Sequence, residues 1–336
     1  MPRAYANEPF NLNKEIEGSI KELTPLLPKG KKIEILTWSG NCLPWEEVVR
    51  LTRKAGIQNI NGGDSRSDPE YPGYASLAAI GRPVGKERQI YASSSNENTY
   101  TNMWSDNFHA HRYLQKTLDN SESPVRLKPM NIYYHLYTGE REASLNGLLS
   151  NLAYARSQNI APITTSHYTR IAEGFYDTRI IATAPDTWRI DKRGALETIR
   201  FDRHTLQSVD FQRSKGVIGQ RHLHGSLYVY LDASVAQPVI ALKAEEHNYD
   251  APEDNIQYLV ESRWLISGVR RHEDRLDFTA QGFGAGEMVW QMPSPGHYSV
   301  SVGGTVKTIE VGDDHLLKVI LEQNALQPVH VIITAG

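Results

Sequence analysis

Residues 130–175 alternate short apolar runs with helical periodicity, and this alternation constrains the fold more than any other feature. The run 132–134 is β-branched and aromatic, which predicts a strand. A helix ending near Gln158 is then predicted by leucines at three- and four-residue spacing: Leu145, Leu148, Leu149 and Leu152. Residues 160–164 predict a second strand, and Ser166 is placed to cap a further helix. Strands alternating with helices are typical of parallel β/α units.

Three earlier apolar runs also end in polar or aromatic residues, as the run before His135 does. The side chains at or just beyond these ends are Trp38, Asn41, Asp64, Tyr91, Asn96, Glu97, Asn98 and His135. Because the carboxyl ends of parallel strands meet at one edge, we expect these side chains to form one rim. Four or five such units make about half of a closed barrel. Residues 1–178 are therefore predicted to form a partial (β/α) barrel.

The second half follows a different pattern. Residues 225–231, 258–264, 298–302 and 329–333 alternate apolar with polar side chains and are separated by Gly, Pro and Asp. Short alternating strands with turns between them are typical of antiparallel sheets. The predicted fold class is thus an α/β partial barrel, residues 1–178, followed by an all-β sandwich or jelly-roll domain, residues 179–336.

Charge and composition exclude several classes of protein. The net charge is −3, so nothing electrostatic favours nucleic acid as a partner. Cys42 is the only cysteine, which excludes an intramolecular disulfide. No apolar run is long enough to span a membrane, and residues 1–16 lack the hydrophobic core of a secretory signal.

The residue types on the predicted rim suit a sugar ligand. Aromatic rings stack on the apolar face of a sugar, while amides and carboxylates bond its hydroxyls. Trp38, Asn41, Tyr91, Asn96, Glu97, Asn98 and Tyr137 are therefore predicted to bind substrate, and His135 and Asp64 to act in catalysis. Each has a structural alternative. Trp38 and Tyr91 can pack in a core, Asp64 can cap a turn, and His135 can be a buried histidine bonded to a backbone carbonyl.

Several segments together resemble a known family. They are WSGNCLP at 38–44, NINGGDSRSD at 59–68, QIYASSSNENTYTNMW at 89–104 and PMNIYYHLYTG at 129–139, continued by RGALETIRF at 193–201 and GQRHLHGSLYV at 219–229. This set resembles the deacetylase region of PelA-like exopolysaccharide modification proteins, which are relatives of the NodB-type polysaccharide deacetylases. The resemblance covers most of the chain.

The resemblance implies metal-dependent removal of acetyl groups from an N-acetylhexosamine polysaccharide of a biofilm matrix, by a periplasmic enzyme. His135 looks like the histidine that protonates the leaving amine, although Tyr133 replaces the usual leucine two residues before it. Asp64 resembles the acid that orients a catalytic group. Residues 38–45 resemble a motif that normally carries an arginine, which is missing here. The family holds a divalent, zinc-like metal with one Asp and two His upstream of Phe10.

No Asp or His precedes Phe10, so we expect a later portion of a longer enzyme, without a metal site of its own and nearly inactive alone. The alternative is a non-catalytic module that binds a glycan or a secretion-machinery protein. A third reading is a metal enzyme built on His222 and His224, which share a face of a predicted strand. His109 and His111 are predicted to be surface residues.

Overall fold

The structure, a computed structural model, describes residues 9–122, 126, 128–244, 256–322 and 324–336. The opening residues 1–8, part of the segment without a signal-peptide core, lie outside the described residues. The chain divides into two compact units, Met1–Asn159 and Ile160–Gly336. Strand residues outnumber helical residues. Within the described ranges, no helix combines the length and the apolar character needed to cross a membrane.

Six α-helices lie in the described part of the chain: α1 (Ser19–Leu23), α2 (Glu46–Lys54), α3 (Glu97–Tyr100), α4 (Leu114–Asn120), α5 (Glu142–Ser157) and α6 (Thr165–Asp177). A π turn spans Lys14–Gly18, and 3₁₀ turns span Thr24–Leu26, Tyr74–Ser76, Ala110–Tyr113 and Leu136–Glu140. Helix α2 follows Pro44, and acidic residues in its first turn and basic residues in its last turn match the helix dipole. Its buried face, Val48, Val49 and Leu51, packs with Ile16 and Val84.

The first unit contains one four-stranded sheet built from β1 (Ile35–Thr37), β2 (Gln58–Ile60), β3 (Gly81–Val84) and β4 (Glu87–Ile90). The spatial order is β1-β2-β4-β3. Strands β1, β2 and β4 are parallel, and β3 is antiparallel to β4. Helix α2 connects β1 to β2, as a parallel pair requires.

The predicted partial barrel is wrong. Residues 132–134 and 160–164, predicted to be strands, are not strands in the structure. The physical reason lies at the edge of β4, where the next parallel strand of a barrel would pair. The hairpin strand β3 occupies that edge, from Gly81 opposite Ile90 to Val84 opposite Glu87. The sheet therefore ends at β3 instead of continuing towards closure.

The second unit is built from antiparallel sheets. Its strands are β5 (Arg179–Ala184), β6 (Thr187–Asp191), β7 (Thr198–Asp202), β8 (Gln207–Val209), β9 (Val217–Leu223), β10 (Ser226–Leu231), β11 (Val239–Ala244), β12 (Tyr258–Ser262), β13 (Leu265–Arg271), β14 (Arg275–Gly282), β15 (Gly286–Gln291), β16 (Gly296–Val302), β17 (Thr305–Val311), β18 (Leu316–Leu321) and β19 (Ala325–Ala335). The sheet orders are β18-β15-β12-β9-β10-β7, β5-β6-β11-β8 and β13-β14-β19-β16-β17. One contact, between β12 and β9, is parallel. Three sheets take the place of the single sandwich that the sequence predicted.

The six-stranded sheet contributes to two separate cores. Val217 and Ile218 are consecutive residues of β9, yet they lie in different cores. Val217 lies in the core shared with β6, β8 and β11. Ile218 lies in the core shared with β13, β14, β16 and β19. Consecutive side chains of a strand point to opposite faces, so both faces of this sheet are covered. In the larger core the rings of Phe278 and Trp290 lie 4.7 Å apart, and both are fully buried.

Helix α6, which the sequence assigned to the first domain, belongs to the second unit. A Cβ placed on Gly174 would lie 2.0 Å from the carbonyl oxygen of Arg193, so only glycine permits this close contact of helix and backbone. The Arg193 guanidinium in turn donates to the carbonyl oxygens of Leu196 and Val235, each at 2.7 Å. These contacts fix α6 on the β-rich unit.

A small core in the first unit buries a histidine. Tyr100, Ala110, Leu114 and Leu118 form this core. His111 is 1% exposed, and neither ring nitrogen has a hydrogen-bond partner among the described residues. The prediction that His111 is a surface residue is wrong, because its 3₁₀ turn is covered by α5, from which Asn151 donates to the His111 carbonyl oxygen at 2.9 Å. His109, its neighbour, is exposed.

Gly219 permits the close contact between β9 and β12. A Cβ at this position would lie 1.9 Å from the Leu259 carbonyl oxygen, which belongs to backbone and moves only if the strands separate. We expect Gly219→Ala to lower the free energy of unfolding by about 2 kcal/mol. Chemical denaturation measures this change. The matched control is Gly312→Ala, where the nearest atom would be 3.9 Å away; an equal loss in both variants would contradict the steric explanation.

Candidate functional site

The loops that follow β1, β2 and β4 meet at one end of the four-stranded sheet. The Trp38 N–H donates to the Ile60 carbonyl oxygen at 2.9 Å, and the Asn61 N–H donates to the Ile90 carbonyl oxygen at 3.1 Å. These bonds extend the parallel pairing one residue past each strand. The side chains that follow are therefore held at one edge, as expected for parallel strands.

His135 lies against a buried carboxylate at this edge. Glu97, the first residue of α3, is fully buried. Its Oε1 lies 2.7 Å from His135 Nδ1, and it also accepts the His135 backbone N–H at 2.7 Å and the Thr138 hydroxyl at 3.3 Å. The carboxylate therefore fixes both the backbone and the ring of His135. The other oxygen, Oε2, is buried without a partner among the described residues.

The contact with Glu97 determines which nitrogen of His135 is available for chemistry. An ionised carboxylate only accepts hydrogen bonds, so Nδ1 carries the hydrogen. In the neutral ring, Nε2 then carries the lone pair, and it has no partner in the part of the chain that the structure describes. The side chain is 33% exposed. A partly exposed imidazole whose Nδ1 is held by a carboxylate is suited to accept and return a proton at Nε2.

Two aromatic rings lie against the His135 imidazole. Tyr137 stacks on it with centroids 4.8 Å apart and an interplanar angle of 7°, and Tyr133 lies at 5.5 Å. Tyr137 is 38% exposed. The Trp104 and Tyr137 rings form a T-shaped pair with centroids 5.0 Å apart. The rings restrict the position of the imidazole.

Asn61 and Tyr133 belong to the site, but the sequence did not single them out. The Asn61 side-chain amide donates to the Trp38 carbonyl oxygen at 2.6 Å and to the Tyr133 hydroxyl at 3.0 Å. Asn61 has a positive φ of 113°, an uncommon conformation for a residue with a side chain. Burial raises the pKa of Tyr133, against the opposing effect of the Asn61 hydrogen bond. The sequence feature that could have identified Asn61 is its position: it is a polar residue at the end of β2, directly before two glycines.

Asp64 lies at the same edge without a hydrogen bond to His135. It is exposed and accepts the Thr99 hydroxyl at 3.3 Å. The residue that holds His135 is thus Glu97, which the sequence assigned to substrate binding.

Burial raises the pKa of the Cys42 thiol, and the negative charge of Asp64 raises it further. Because the thiol is then protonated at neutral pH, Cys42 is a poor nucleophile and a cysteine-histidine mechanism is disfavoured.

The side chains of Trp38 and Asn41 are both held by hydrogen bonds within the first unit. Trp38 is half-buried and donates its indole N–H to the side-chain oxygen of Asn59 at 3.0 Å. It also packs on the core beneath α2. Asn41 is exposed, and its side-chain oxygen accepts the Leu43 N–H at 3.1 Å, which fixes a turn.

Tyr91, Asn96 and Asn98 lie along the loop that ends in α3. A Cβ on Gly63 would lie 2.2 Å from the Tyr91 ring, so this ring packs directly on the glycine. Asn96 caps α3 by accepting the Asn98 N–H at 2.9 Å. The Asn98 side-chain oxygen accepts the Tyr137 hydroxyl at 3.4 Å, which brings one predicted amide to the rings beside His135.

The loop after α3 has an unusual backbone. Asn102, Met103 and Trp104 are consecutive non-glycine residues with φ between 47° and 65°, and Asn107 has φ 49°. Each left-handed residue costs roughly 1–2 kcal/mol. Hydrogen bonds hold the loop, including Met103 N–H to the Asn98 carbonyl oxygen at 2.9 Å. Backbone strain of this kind persists where the surrounding structure enforces it, often at binding sites.

The described residues do not fit the divalent metal that the family resemblance implies. They contain no group of three or more His, Cys, Asp or Glu side chains placed to hold a metal ion.

His222 and His224 do not form the start of a metal site either. His222 Nε2 lies 2.8 Å from the Gln207 carbonyl oxygen, and β9 ends at Leu223. His224 therefore lies in the following turn, with φ 50°, and does not share a strand face with His222. The geometry thus gives no support to a metal enzyme built on these two histidines.

The site combines one proton-transferring imidazole, a buried carboxylate that positions it, and half-exposed aromatic and amide side chains. Such a set can bind a sugar and exchange a proton with it. Comparison of the chain with protein-family models, with curated proteins and with solved structures gave no match.

Proposed function

We propose that this protein binds a polysaccharide with N-acetylhexosamine units and hydrolyses their acetamide groups at His135. The observation that carries the proposal is the contact of buried Glu97 with His135 Nδ1 at 2.7 Å, which leaves Nε2 of a partly exposed imidazole without a partner among the described residues. The resemblance of residues 89–104 and 129–139 to deacetylase sequences supplies the substrate class.

The proposed chemistry uses one imidazole for two proton transfers. His135 Nε2 takes a proton from water as the water oxygen bonds to the acetyl carbonyl carbon. The imidazolium then gives that proton to the amide nitrogen as the carbon–nitrogen bond breaks. The products are acetate and a free amine on the sugar. Glu97 stabilises the imidazolium between the two steps, because its carboxylate is already in contact with Nδ1. These steps use only side chains of this chain, and because no metal-activated water takes part in them, we expect acetate release by the chain alone to be slow.

Binding without turnover is the second candidate function. It is favoured by the lack of a three-ligand metal group among the described residues, since a metal-activated water is the usual nucleophile in the family that the sequence resembles. In this case His135, Tyr137 and Asn98 would contact the glycan, and the polymer would leave unchanged. Acetate release distinguishes the two candidates.

The test is acetate release from β-linked N-acetylglucosamine oligosaccharides by the full chain. We expect His135→Gln to lower the rate about 100-fold or more, because general acid–base catalysis contributes at least this much. Affinity for the same oligosaccharides should change little. The matched control is His297→Gln, an exposed histidine of the second unit.

Three results decide between the candidates. Loss of acetate release in His135→Gln, but not in His297→Gln, supports the deacetylase. An unchanged rate in His135→Gln contradicts it. Oligosaccharide binding by the unmodified protein without any acetate release supports the binding module and rejects the deacetylase.

A further inference from the structure

A cavity lies between the two larger sheets of the second unit, along the side where both sheets end. Strand β17 is the last strand of the five-stranded sheet, and β18 is the last strand of the six-stranded sheet. Both contribute side chains to the lining, as do β16 and β19. The cavity has a volume of about 500 Å³. It is therefore large enough for a small molecule, because such sites typically measure roughly 300–1,000 Å³.

The wall of the cavity is mainly apolar. Val300 and Val302 of β16 line it, together with Val319 and Leu321 of β18. Trp264 lines it as well and is 4% exposed, yet its indole N–H has no hydrogen-bond acceptor among the described residues. The wall thus offers a bound molecule a broad apolar surface and a buried donor.

Lys307 of β17 occupies a position that faces this cavity. It pairs directly with Val300 of β16, and Ile309 pairs with Tyr298. Directly paired residues of antiparallel strands share a face, and Val300 and Tyr298 belong to the core between the two sheets. Lys307 lines the cavity and is nevertheless exposed, which places its ammonium at the opening. It has no hydrogen bond or ion pair within the described ranges.

The opening also carries a carboxylate, that of Glu322. This residue is exposed and follows Leu321, the last residue of β18. Because consecutive side chains of a strand alternate and Leu321 lines the cavity, the position of Glu322 is not one that points inward. Lys307, by contrast, is held on the inner face by the pairing of its strand. The charge best placed to contact a bound molecule is therefore positive.

We infer that this cavity binds a small molecule with a hydrocarbon body and a carboxylate, such as a medium-chain fatty acid. The hydrocarbon packs on the valines and on the Trp264 ring, and the carboxylate pairs with Lys307 at the opening. Charge complementarity favours this ligand over a neutral or cationic molecule of the same shape. The inference does not depend on the proposed deacetylation, since every residue of the lining belongs to the second unit.

The experiment is titration calorimetry of the full chain with octanoate, octanol and octylamine, which share one hydrocarbon chain and differ in charge. We expect octanoate to bind most tightly. Lys307→Gln should lower the affinity for octanoate about tenfold and leave the affinity for octanol unchanged, because only the carboxylate contacts the ammonium. The matched control is Lys318→Gln. Lys318 lies between buried Leu317 and Val319 on β18, so its side chain is on the outer face.

Two measurements show whether the ligand occupies this cavity. Addition of octanoate should shift the NMR resonance of the Trp264 indole N–H, which is identified by its loss in Trp264→Phe. Ala325→Phe adds a ring to a half-buried residue of the lining and should abolish binding of octanoate and octanol alike, with thermal unfolding as the test that the variant is folded.

Several results would overturn the inference. They are the absence of octanoate binding, tighter binding of octylamine than of octanoate, and equal weakening of octanoate and octanol in Lys307→Gln. An indole N–H resonance that does not move with bound octanoate would overturn it as well. If octanoate does not bind and Lys307→Gln self-associates, the inference also falls, and Lys307 instead protects the edge strand β17 against pairing with another chain.

Discussion

Glu97→Gln is expected to lower the rate of acetate release about 1,000-fold while the protein remains folded. Glutamine has nearly the same shape, but it is neutral and cannot stabilise an imidazolium. Because the oxygen that contacts Nδ1 also accepts the His135 backbone N–H, the glutamine places its carbonyl oxygen there and Nδ1 keeps its hydrogen. The ring takes a proton from water less readily, because the imidazolium is no longer stabilised by a negative charge. Glu97 is accordingly a positioning residue, since it contacts His135 and not the substrate.

Two measurements separate this role from a merely structural one. The ¹⁵N NMR shifts of the His135 ring report which nitrogen carries the hydrogen, and we expect it to stay on Nδ1 in Glu97→Gln, because the glutamine oxygen still accepts there. The kinetic loss should fall on kcat, with KM nearly unchanged, because the carboxylate does not bind the sugar. Glu140→Gln, at an exposed neighbouring carboxylate, is the control. A normal rate in Glu97→Gln, or a ring hydrogen that moves to Nε2, would contradict the assigned role.

Acid is expected to destabilise the first unit through His111. Burial lowers the pKa of this histidine from 6.5 to about 4. The unfolded chain therefore binds a proton below pH 6.5 that the folded chain does not bind until about pH 4. Stability from this group is complete above pH 6.5 and falls as the pH decreases towards 4, by about 3 kcal/mol.

The measurement is the free energy of unfolding of the first unit's transition at pH 7 and pH 4. Replacement of His111 by leucine removes the titrating group, so His111→Leu should lose about 3 kcal/mol less than the unmodified protein between these pH values. Carboxylates titrate in both proteins, and the difference between them isolates His111. His109→Gln, at the exposed neighbour, should behave as the unmodified chain does. Identical acid sensitivity in His111→Leu would disprove the assignment.

The local pattern of the sequence predicted the edge where the site forms, but it did not predict the sheet. The runs before Trp38, Asn61 and Tyr91 do form parallel strands, and their polar ends do meet. The segment between Asp64 and Gln89 is rich in Pro, Gly and Ser, a composition typical of a loop. It contains β3, whose pairing with β4 ends the sheet and excludes a barrel.

The roles of individual site residues depended on distances that spacing cannot supply. Asp64 and Glu97 both follow parallel strands and are equally plausible partners for His135 from the sequence. Only Glu97 is buried and reaches Nδ1, because the cap at Asn96 begins α3 there and directs the carboxylate inward. Asp64 instead lies exposed beside Thr99.

By itself the sequence determined the periodic pattern of apolar and polar side chains. That pattern indicates parallel strands with polar carboxyl ends in the first half and antiparallel strands in the second half. Side-chain period is a local property, so it can be read without a structure. The tertiary structure alone decided that β3 closes the first sheet, that one sheet serves two cores, and that Glu97 holds His135. Each of these depends on contacts between residues distant in the chain, and local periodicity contains no information on which distant groups come within hydrogen-bond reach.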